Sequence, residues 1–233
     1  MLKKVVVLLP TYNEKNTIEK IVDLILEQQP KIKSYDLQLL IADGHSPDDT
    51  WKVAEKLSQA NRKIHFIDLQ GRGFGLAVME GTRYAFEDLN ADILMQMDAD
   101  LQHDPNEIPQ FIEKIEAGFD FVQGSRYEKG GRNNISLIRQ MFSLGSSLTL
   151  RALTGVWQVS DFTPSYKAYT KALYQKMSKD SIPWQGTTFL VQPATVVEAY
   201  RTGAKITTVP IKFKNREVDK SKNEVFNYLL EIL

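Results

Sequence analysis

Residues 93–102 read Ile-Leu-Met-Gln-Met-Asp-Ala-Asp-Leu-Gln, an apolar run that stops on two carboxylates one residue apart. A short apolar run bounded by turn-forming residues is the pattern of a buried strand. The strand is expected over residues 93–97, with Gln96 as a polar insertion. Asp98 and Asp100 then project from its end toward one crevice, with the Gln102 amide beside them. Hard oxygen donors of this kind suit Mg²⁺ or Mn²⁺, cations that keep waters and share the phosphates of a substrate. A lone Asp-x-Asp reads better as a solvated turn before the helix that Pro105 opens, and Asp104 suits the capping position there. The place at the end of a buried strand tips the reading toward a cation. His103 is then a supporting or exposed residue, since three oxygen groups already precede it.

Working outward, the same alternation recurs along the chain. Strands are expected at residues 5–9, 37–41, 64–69, 93–97 and 119–123. Helices are expected at 16–28, 50–58, 75–88 and 105–117, the first from helical spacing of Ile18, Ile21, Val22, Ile25 and Leu26. Beyond these, a long helix is expected at 133–153, a strand at 165–169, a helix at 187–200 and a strand at 206–213. Strands alternating with helices imply βαβ units and a mainly parallel sheet flanked by helices, an α/β fold. No linker, repeat or low-complexity stretch divides residues 1–233, so one domain is expected.

In such a sheet, ligands bind beyond the carboxyl ends of the strands. Pro10-Thr11-Tyr12-Asn13-Glu14 follows the first strand and opens a helix; Tyr12 and Glu14 there suit stacking on a base and hydrogen bonding to a ribose, or simply a good helix start. Asp43-Gly44-His45-Ser46 follows the second, where Asp43 suits acceptance from a nucleobase N–H and Asp49 suits capping of the next helix. Gly71-Arg72-Gly73-Phe74-Gly75 follows the third and suits approach to a pyrophosphate, although glycines at such turns are common. Gly124-Ser125-Arg126-Tyr127 follows the fifth, with Arg139 on the next helix and Arg216, Lys220 and Lys222 after the last strand. Bases converging on one crevice make a phosphate site.

Composition narrows the classes. The 29 basic residues cancel 29 acidic ones, so no global field points to nucleic acid. The absence of cysteine removes disulfides, thiolate metal sites and cysteine nucleophiles. The opening apolar run ends at Pro10 and is too short for a targeting segment, so it reads as a buried strand. No stretch approaches the roughly 20 apolar residues that cross a bilayer, and the chain is expected to be soluble as it stands. Residues 226–233 suit a packed terminal helix, an interfacial helix or the stump of a truncated chain, and the packed helix is the simplest of these.

Taken in order, PTYNE (Pro10 to Glu14), MDADLQHDP (Met97 to Pro105), GSRY (Gly124 to Tyr127), SDFTPSYKAY around Asp161 and NREVDKSK (Asn215 to Lys222) resemble the inverting GT-A glycosyltransferases, within them the polyprenyl-phosphate sugar transferases of the dolichol-phosphate mannose synthase type. The resemblance runs from about Val5 to Glu224. It implies a nucleotide-binding half over about residues 1–123 and an acceptor-side half over about 124–233. It implies Pro10, Tyr12, Glu14, Ile41 and Asp43 around the nucleoside, and Asp98, Ala99, Asp100 and Gln102 at the diphosphate. Asp98, Asp100 and Gln102 would hold Mg²⁺ or Mn²⁺. Arg126, Arg139 and Ser143 would grip a lipid phosphate, and Arg216 and Lys222 the donor phosphates. The catalytic group is then Asp100, Arg126, Arg139, Arg216 and Lys222.

The implied reaction moves a hexose, mannose or glucose, from a nucleoside diphosphate such as GDP to a polyprenyl monophosphate, at the cytoplasmic face of a membrane and with no nucleic-acid partner. The chain departs from the family pattern at Ala42, where a second acid is usual, at Phe74 for a lysine, at Pro164 to Tyr166 within the usual T-S-G-F, and at Gln192 for a glutamate. If the acceptor were a sugar hydroxyl, a base would be required, and Asp161 is the candidate. Two rivals are a nucleotidyltransferase, against which the lack of glycine in Pro10 to Glu14 counts, and a relative that binds nucleotide sugar without transferring it.

Overall fold

The opening apolar run forms β1 (Lys3–Thr11), in which Val5, Val6, Val7, Leu8 and Leu9 are all fully buried. Burying each such side chain contributes about 1.5–3 kcal/mol. A strand buried on both faces belongs in the middle of a sheet with helices on either side. In the computed structural model, which describes residues 2–70, 73–134, 137–177 and 189–214 without the Arg139 side chain, β1 occupies that place.

The elements that follow are α1 (Ile18–Leu26), β2 (Tyr35–Asp43), α2 (Thr50–Ala60), β3 (Ile64–Asp68), α3 (Phe74–Arg83), β4 (Ile93–Gln96), α4 (Ile108–Glu116) and β5 (Phe121–Ser125). Then come β6 (Arg132–Asn133), α5 (Leu137–Thr154), β7 (Lys167–Thr170), α6 (Lys171–Lys176), α7 (Val191–Arg201), β8 (Ile206–Pro210) and β9 (Lys212–Phe213). The main sheet runs β3-β2-β1-β4-β7-β5-β8, and β6 pairs with β9. All pairs are parallel except those of β7, which lies antiparallel between β4 and β5. The sheet is mainly parallel, as the alternation implied.

Helices α1, α2 and α4 cover the face that carries Val5, Val7 and Leu9. Helices α3, α6 and α7 cover the face that carries Val6, Leu8 and Leu94. The chain steps from β1 outward to β2 and β3, then returns to β4 on the other side of β1. That reversal opens a crevice beyond the carboxyl ends of β1 and β4. Residues 10–14 and 98–102 line its two sides.

Several expected elements differ in detail. The helix expected at 75–88 stops as an α-helix at Arg83 and continues as a π-helical turn, Tyr84–Asp88. The helix at 105–117 opens as a 3-10 turn, Pro105–Glu107, because Asp104 caps it by accepting from the Asn106 N–H. Residues 132–133, expected to begin or border the long helix, instead pair with β9. The strand expected at 206–213 breaks at Ile211, whose N–H bonds to Ser125 O while the chain turns from β8 into β9. Helix α6 was not anticipated. Asp49 does not cap α2: it adopts a left-handed conformation, and Asp48 accepts from the Thr50 N–H instead. Residues 226–233, and Gly71 and Arg72 of the Gly71 to Gly75 turn, lie outside the described residues.

Candidate active site

The turn after β4 is held from beneath by His103. The Asp98 N–H donates to His103 Nδ1 at 3.2 Å, which places the ring proton on Nε2. Burial pushes the imidazole down to about 4, so it is neutral near pH 7, with the Asp100 charge acting in the opposite direction. It packs against Tyr166 and Phe213 at ring distances of 5.0 and 5.2 Å. His103 is therefore a buried support and not an exposed residue. Leu101 takes a positive φ of 65°, which folds the turn so that Asp100 Oδ1 accepts from the Gln102 N–H at 3.0 Å. Gln102 is clasped to Lys214, whose N–H donates to Gln102 O while Gln102 Nε2 donates to Lys214 O. Lys214 also reaches Asp104 at 3.2 Å.

The donor set can be tested against a cation. Among the described residues, no three His, Cys, Asp or Glu side chains are grouped to hold a metal by themselves. Two carboxylates and the Gln102 amide oxygen are what this turn offers, with the Asp98 side chain 32% exposed. Mg²⁺ and related cations bind through one or two carboxylates and take their remaining ligands from substrate phosphates and water. The turn fits such an ion and does not form an all-protein cage.

On the other side of the crevice, the carboxyl ends of β1 and β2 are stitched together by Asp43. It is fully buried and accepts from Thr11 Oγ1, Ser46 N and Ser46 Oγ, each at 2.7 Å. Ser46 Oγ in turn accepts from the Asn13 N–H, and Thr50 Oγ1 from the Glu14 N–H. Asp43 thus shapes this side of the crevice, and its oxygens are engaged inside the protein. The expectation that it meets a base N–H directly finds no exposed oxygen here. Ile41 is likewise fully buried in the core and offers the crevice only its backbone. Pro10 is buried, Tyr12 is 52% exposed, and Glu14 Oε2 accepts from Thr17 Oγ1. His45, on the same rim, bonds Asp68 at 2.8 Å and stacks on Trp51.

The basic group centres on Arg126, at the start of the turn after β5. Its Nε and Nη2 form a fork on Asp161 at 2.7 and 3.0 Å, and Nη2 also donates to Ser143 Oγ at 2.6 Å and to Thr163 Oγ1. Arg126 and Ser143, both expected at the acceptor phosphate, therefore share one cluster. Asp161 is fully buried and also accepts from Thr163 Oγ1 at 2.9 Å. Its oxygens hold Arg126 and Thr163, so the conditional role as a base is not supported. The side chain of Arg139, and Arg216, Lys220 and Lys222, lie outside the described residues.

The geometry assembles an acidic turn at a topological switch point, a stitched rim beyond β1 and β2, and a buried arginine. A model of "Glycosyl transferase family 2" matches residues 6–178. The chain belongs to this family. It is 30% identical over 234 residues to a dolichol-phosphate mannosyltransferase of Pyrococcus furiosus, covering 98% of this chain and 62% of that one. It therefore spans less than two thirds of that relative. A polyprenol monophosphomannose synthase of Mycolicibacterium smegmatis is 29% identical over 94% of this chain and 81% of its own. An undecaprenyl-phosphate mannosyltransferase of Micrococcus luteus is 30% identical over 94% of this chain and 87% of its own.

Among solved structures, glucosyl-3-phosphoglycerate synthase of Mycobacterium tuberculosis with Mn²⁺, UDP and phosphoglyceric acid superposes with a TM-score of 0.63 at 19% identity, covering 94% of this chain and 72% of that one. A Pyrobaculum calidifontis mannosyltransferase with GDP-Man and Mn²⁺ gives 0.62 at 19%, covering 94% and 59%. These likenesses establish the GT-A fold.

In this family 2 glycosyltransferase, sequence reasoning missed three features. Phe74, noted only as a departure, stacks on Phe189 at 4.4 Å and joins the start of α3 to the approach of α7. Glu128 ties Ser160 to Thr208 behind the Arg126 cluster. Lys167 is fully buried in the centre of the sheet, where burial pushes it down to about 7. Its alternation with Tyr166 and Ala168 was visible, but the face it occupies depends on the antiparallel insertion of β7.

Proposed function

We propose that this family 2 domain transfers a hexose, mannose or glucose, from a nucleoside diphosphate to a polyprenyl monophosphate, inverting the anomeric centre, at the cytoplasmic face of a membrane. The observation that carries the reading is the pairing of two phosphate-directed groups across one crevice: the Asp98–Asp100 turn and the Arg126–Ser143 cluster. The names of the mannosyltransferase relatives support a polyprenyl-phosphate acceptor, and the Mn²⁺-bound structural neighbours support a divalent cation.

Asp98, Asp100 and Gln102 are the residues that would hold Mg²⁺ or Mn²⁺. The ion would neutralise charge that develops on the departing diphosphate. Arg126, with Ser143 beside it, orients the attacking phosphate, and Arg139 is assigned there with them. Arg216 and Lys222 are assigned to the donor phosphates. A phosphate monoester is already anionic near neutral pH, so the attack calls for no general base. That agrees with the engagement of Asp161 by Arg126 and Thr163, and disfavours a sugar hydroxyl as acceptor.

Helix α5 supports the membrane site. Leu137, Met141, Leu144 and Leu148 recur at helical spacing, and with Ile138 and Trp157 they are between 46% and 76% exposed. Ser143 of the same helix points inward to Arg126. An apolar stripe outside and a phosphate-binding residue inside suit a lipid whose headgroup enters the site while its chain stays in the bilayer. No helix among the described residues is long and apolar enough to cross a membrane. A screen of labelled GDP-mannose and UDP-glucose with Mg²⁺ or Mn²⁺ and a short polyprenyl phosphate tests the reading. Transfer from one donor, abolished by chelation, is expected. Absence of turnover with every donor would favour a protein that only binds nucleotide sugars.

A further inference from the structure

A row of polar side chains crosses the middle of the sheet. Lys167 of β7 stands in register with Gln96 of β4 and with Gln123 of β5. Register partners on neighbouring strands share a face, with Cβ atoms about 4.5–5.5 Å apart. This is the face of Leu94, Phe121 and Tyr169, which α7 covers. Lys167 Nζ donates to the Gln192 carbonyl of α7 at 3.1 Å, one bond for a group that carries three hydrogens when charged.

Buried amides and hydroxyls normally find partners, and each one left without costs about 1–3 kcal/mol. Nine buried side-chain atoms among the described residues have none, and five of them belong to this cluster: Gln96 Nε2, Gln123 Oε1, Ser165 Oγ, and both Oε1 and Nε2 of Gln192. No other part of the described structure gathers as many unpartnered polar atoms.

The cluster lies directly below the acidic turn. The Met97 N–H still bonds to Leu8 O one residue past β4, and strand alternation carried on from there sets Asp98 on the face of Gln96. Two residues of strand separate them by about 6.5–7 Å. Ser165 stands two residues before Lys167, just ahead of β7, where continuing the antiparallel register sets it opposite Asp98. The Asp98 charge acts on Lys167.

Both donors and acceptors are on offer. Gln192 supplies one of each, Ser165 either, and Lys167 donates. A neutral polyhydroxyl matches that set, whereas a second anion would meet the Gln123 and Gln192 oxygens. We propose that Ser165, Lys167 and Gln192 form the floor of the donor site and read the hydroxyl groups of the hexose whose diphosphate is held at Asp98 and Asp100. This rests on the nucleotide-sugar reading given above and names the residues that select its sugar.

The test is titration calorimetry with Mn²⁺ of GDP against GDP-mannose and of UDP against UDP-glucose, on the wild type and on Gln192→Leu, Gln192→Glu and Ser165→Ala. Gln192→Leu is expected to bind the bare nucleoside diphosphate within about twofold of wild type, and the sugar conjugate about tenfold or more weakly. Its melting temperature without ligand should not fall, because the change removes an amide that has no partner. Gln192→Glu should change the ratio between the two sugar nucleotides. Ser165→Ala is expected to weaken the sugar conjugate alone, and decides the matter if Gln192→Leu does not fold. Equal affinity of wild type and variants for the sugar conjugate, or equal loss for nucleotide and conjugate, overturns the proposal while leaving the donor class intact. A wild type that binds none of the four compounds overturns the donor class itself, and the floor with it.

Discussion

Asp161 and Arg126 show how one buried pair can fix a site. Arg126 is 8% exposed and Asp161 not at all, so each charge depends on the other for its solvation. Removing one partner of such a pair leaves an uncompensated buried charge, at a cost of about 3–5 kcal/mol. Asp161→Asn is therefore expected to lower stability by that order in urea unfolding, with a raised KM for the phosphate acceptor. An unchanged unfolding midpoint would contradict the assignment. At the acidic turn, Asp100→Asn should reduce Mn²⁺ affinity and turnover by about 100-fold or more, read by calorimetry and by a transfer assay. The place of Asp98 and Asp100 at the crevice was legible in sequence because both follow directly on an apolar run. The internal bonds of Asp43 were not legible. Its hydroxyl partner Thr11 ends β1, 32 positions away in sequence, and only the folded sheet brings it to Asp43.

At the scale of elements, periodicity located every strand of the parallel half, and it did so because residues 5–9, 39–42 and 93–95 are unbroken apolar runs buried on both faces of the sheet. It failed where local pattern does not set the partner. The orientation of β7, the break at Ile211 and the pairing of residues 132–133 are settled by neighbours distant in sequence. Close approach of these neighbours makes Gly124 intolerant of a side chain: a Cβ there would meet Tyr166 O and Ile211 Cγ2, both at 2.9 Å. Gly124→Ala is expected to cost about 1–3 kcal/mol, measurable as a lower melting temperature. Helix α5 was foreseen, but its outward apolar stripe was not, since burial cannot be read from spacing alone. Replacing Met141 and Leu148 together by Asp is expected to abolish sedimentation with anionic lipid vesicles while leaving turnover of a short, soluble polyprenyl phosphate near the wild-type rate. Retained vesicle binding would argue against α5 as the docking face.

Across the whole molecule, the order β3-β2-β1-β4-β7-β5-β8 brings residues from both ends of the chain to one crevice. Gln102 and Lys214 are clasped across 112 positions. Glu107 lies behind this clasp and accepts from the Lys212 N–H, and burial raises its carboxyl to about 7. A carboxyl raised on folding binds more protons in the folded than in the unfolded state between about 4.5 and 7. Stability from this group therefore falls as pH rises through that window and levels off above it. Glu107→Gln is expected to flatten that part of the profile in thermal melts, and an unaltered profile would show that Glu107 is not its source. The α/β class and the crevice followed from sequence, because both depend on strand–helix alternation. The path of the chain after β5 did not, because it depends on long-range pairing.

The central claim is that one phosphate leaves and another attacks in the same crevice. Phosphorus NMR of the protein with Mn²⁺ replaced by Mg²⁺, a hexose nucleotide and a short polyprenyl monophosphate tests it most directly. The account predicts that the acceptor's monoester signal converts to a phosphodiester as one nucleoside diphosphate is released per product. Release of nucleoside diphosphate while the monoester signal stays unchanged would contradict it.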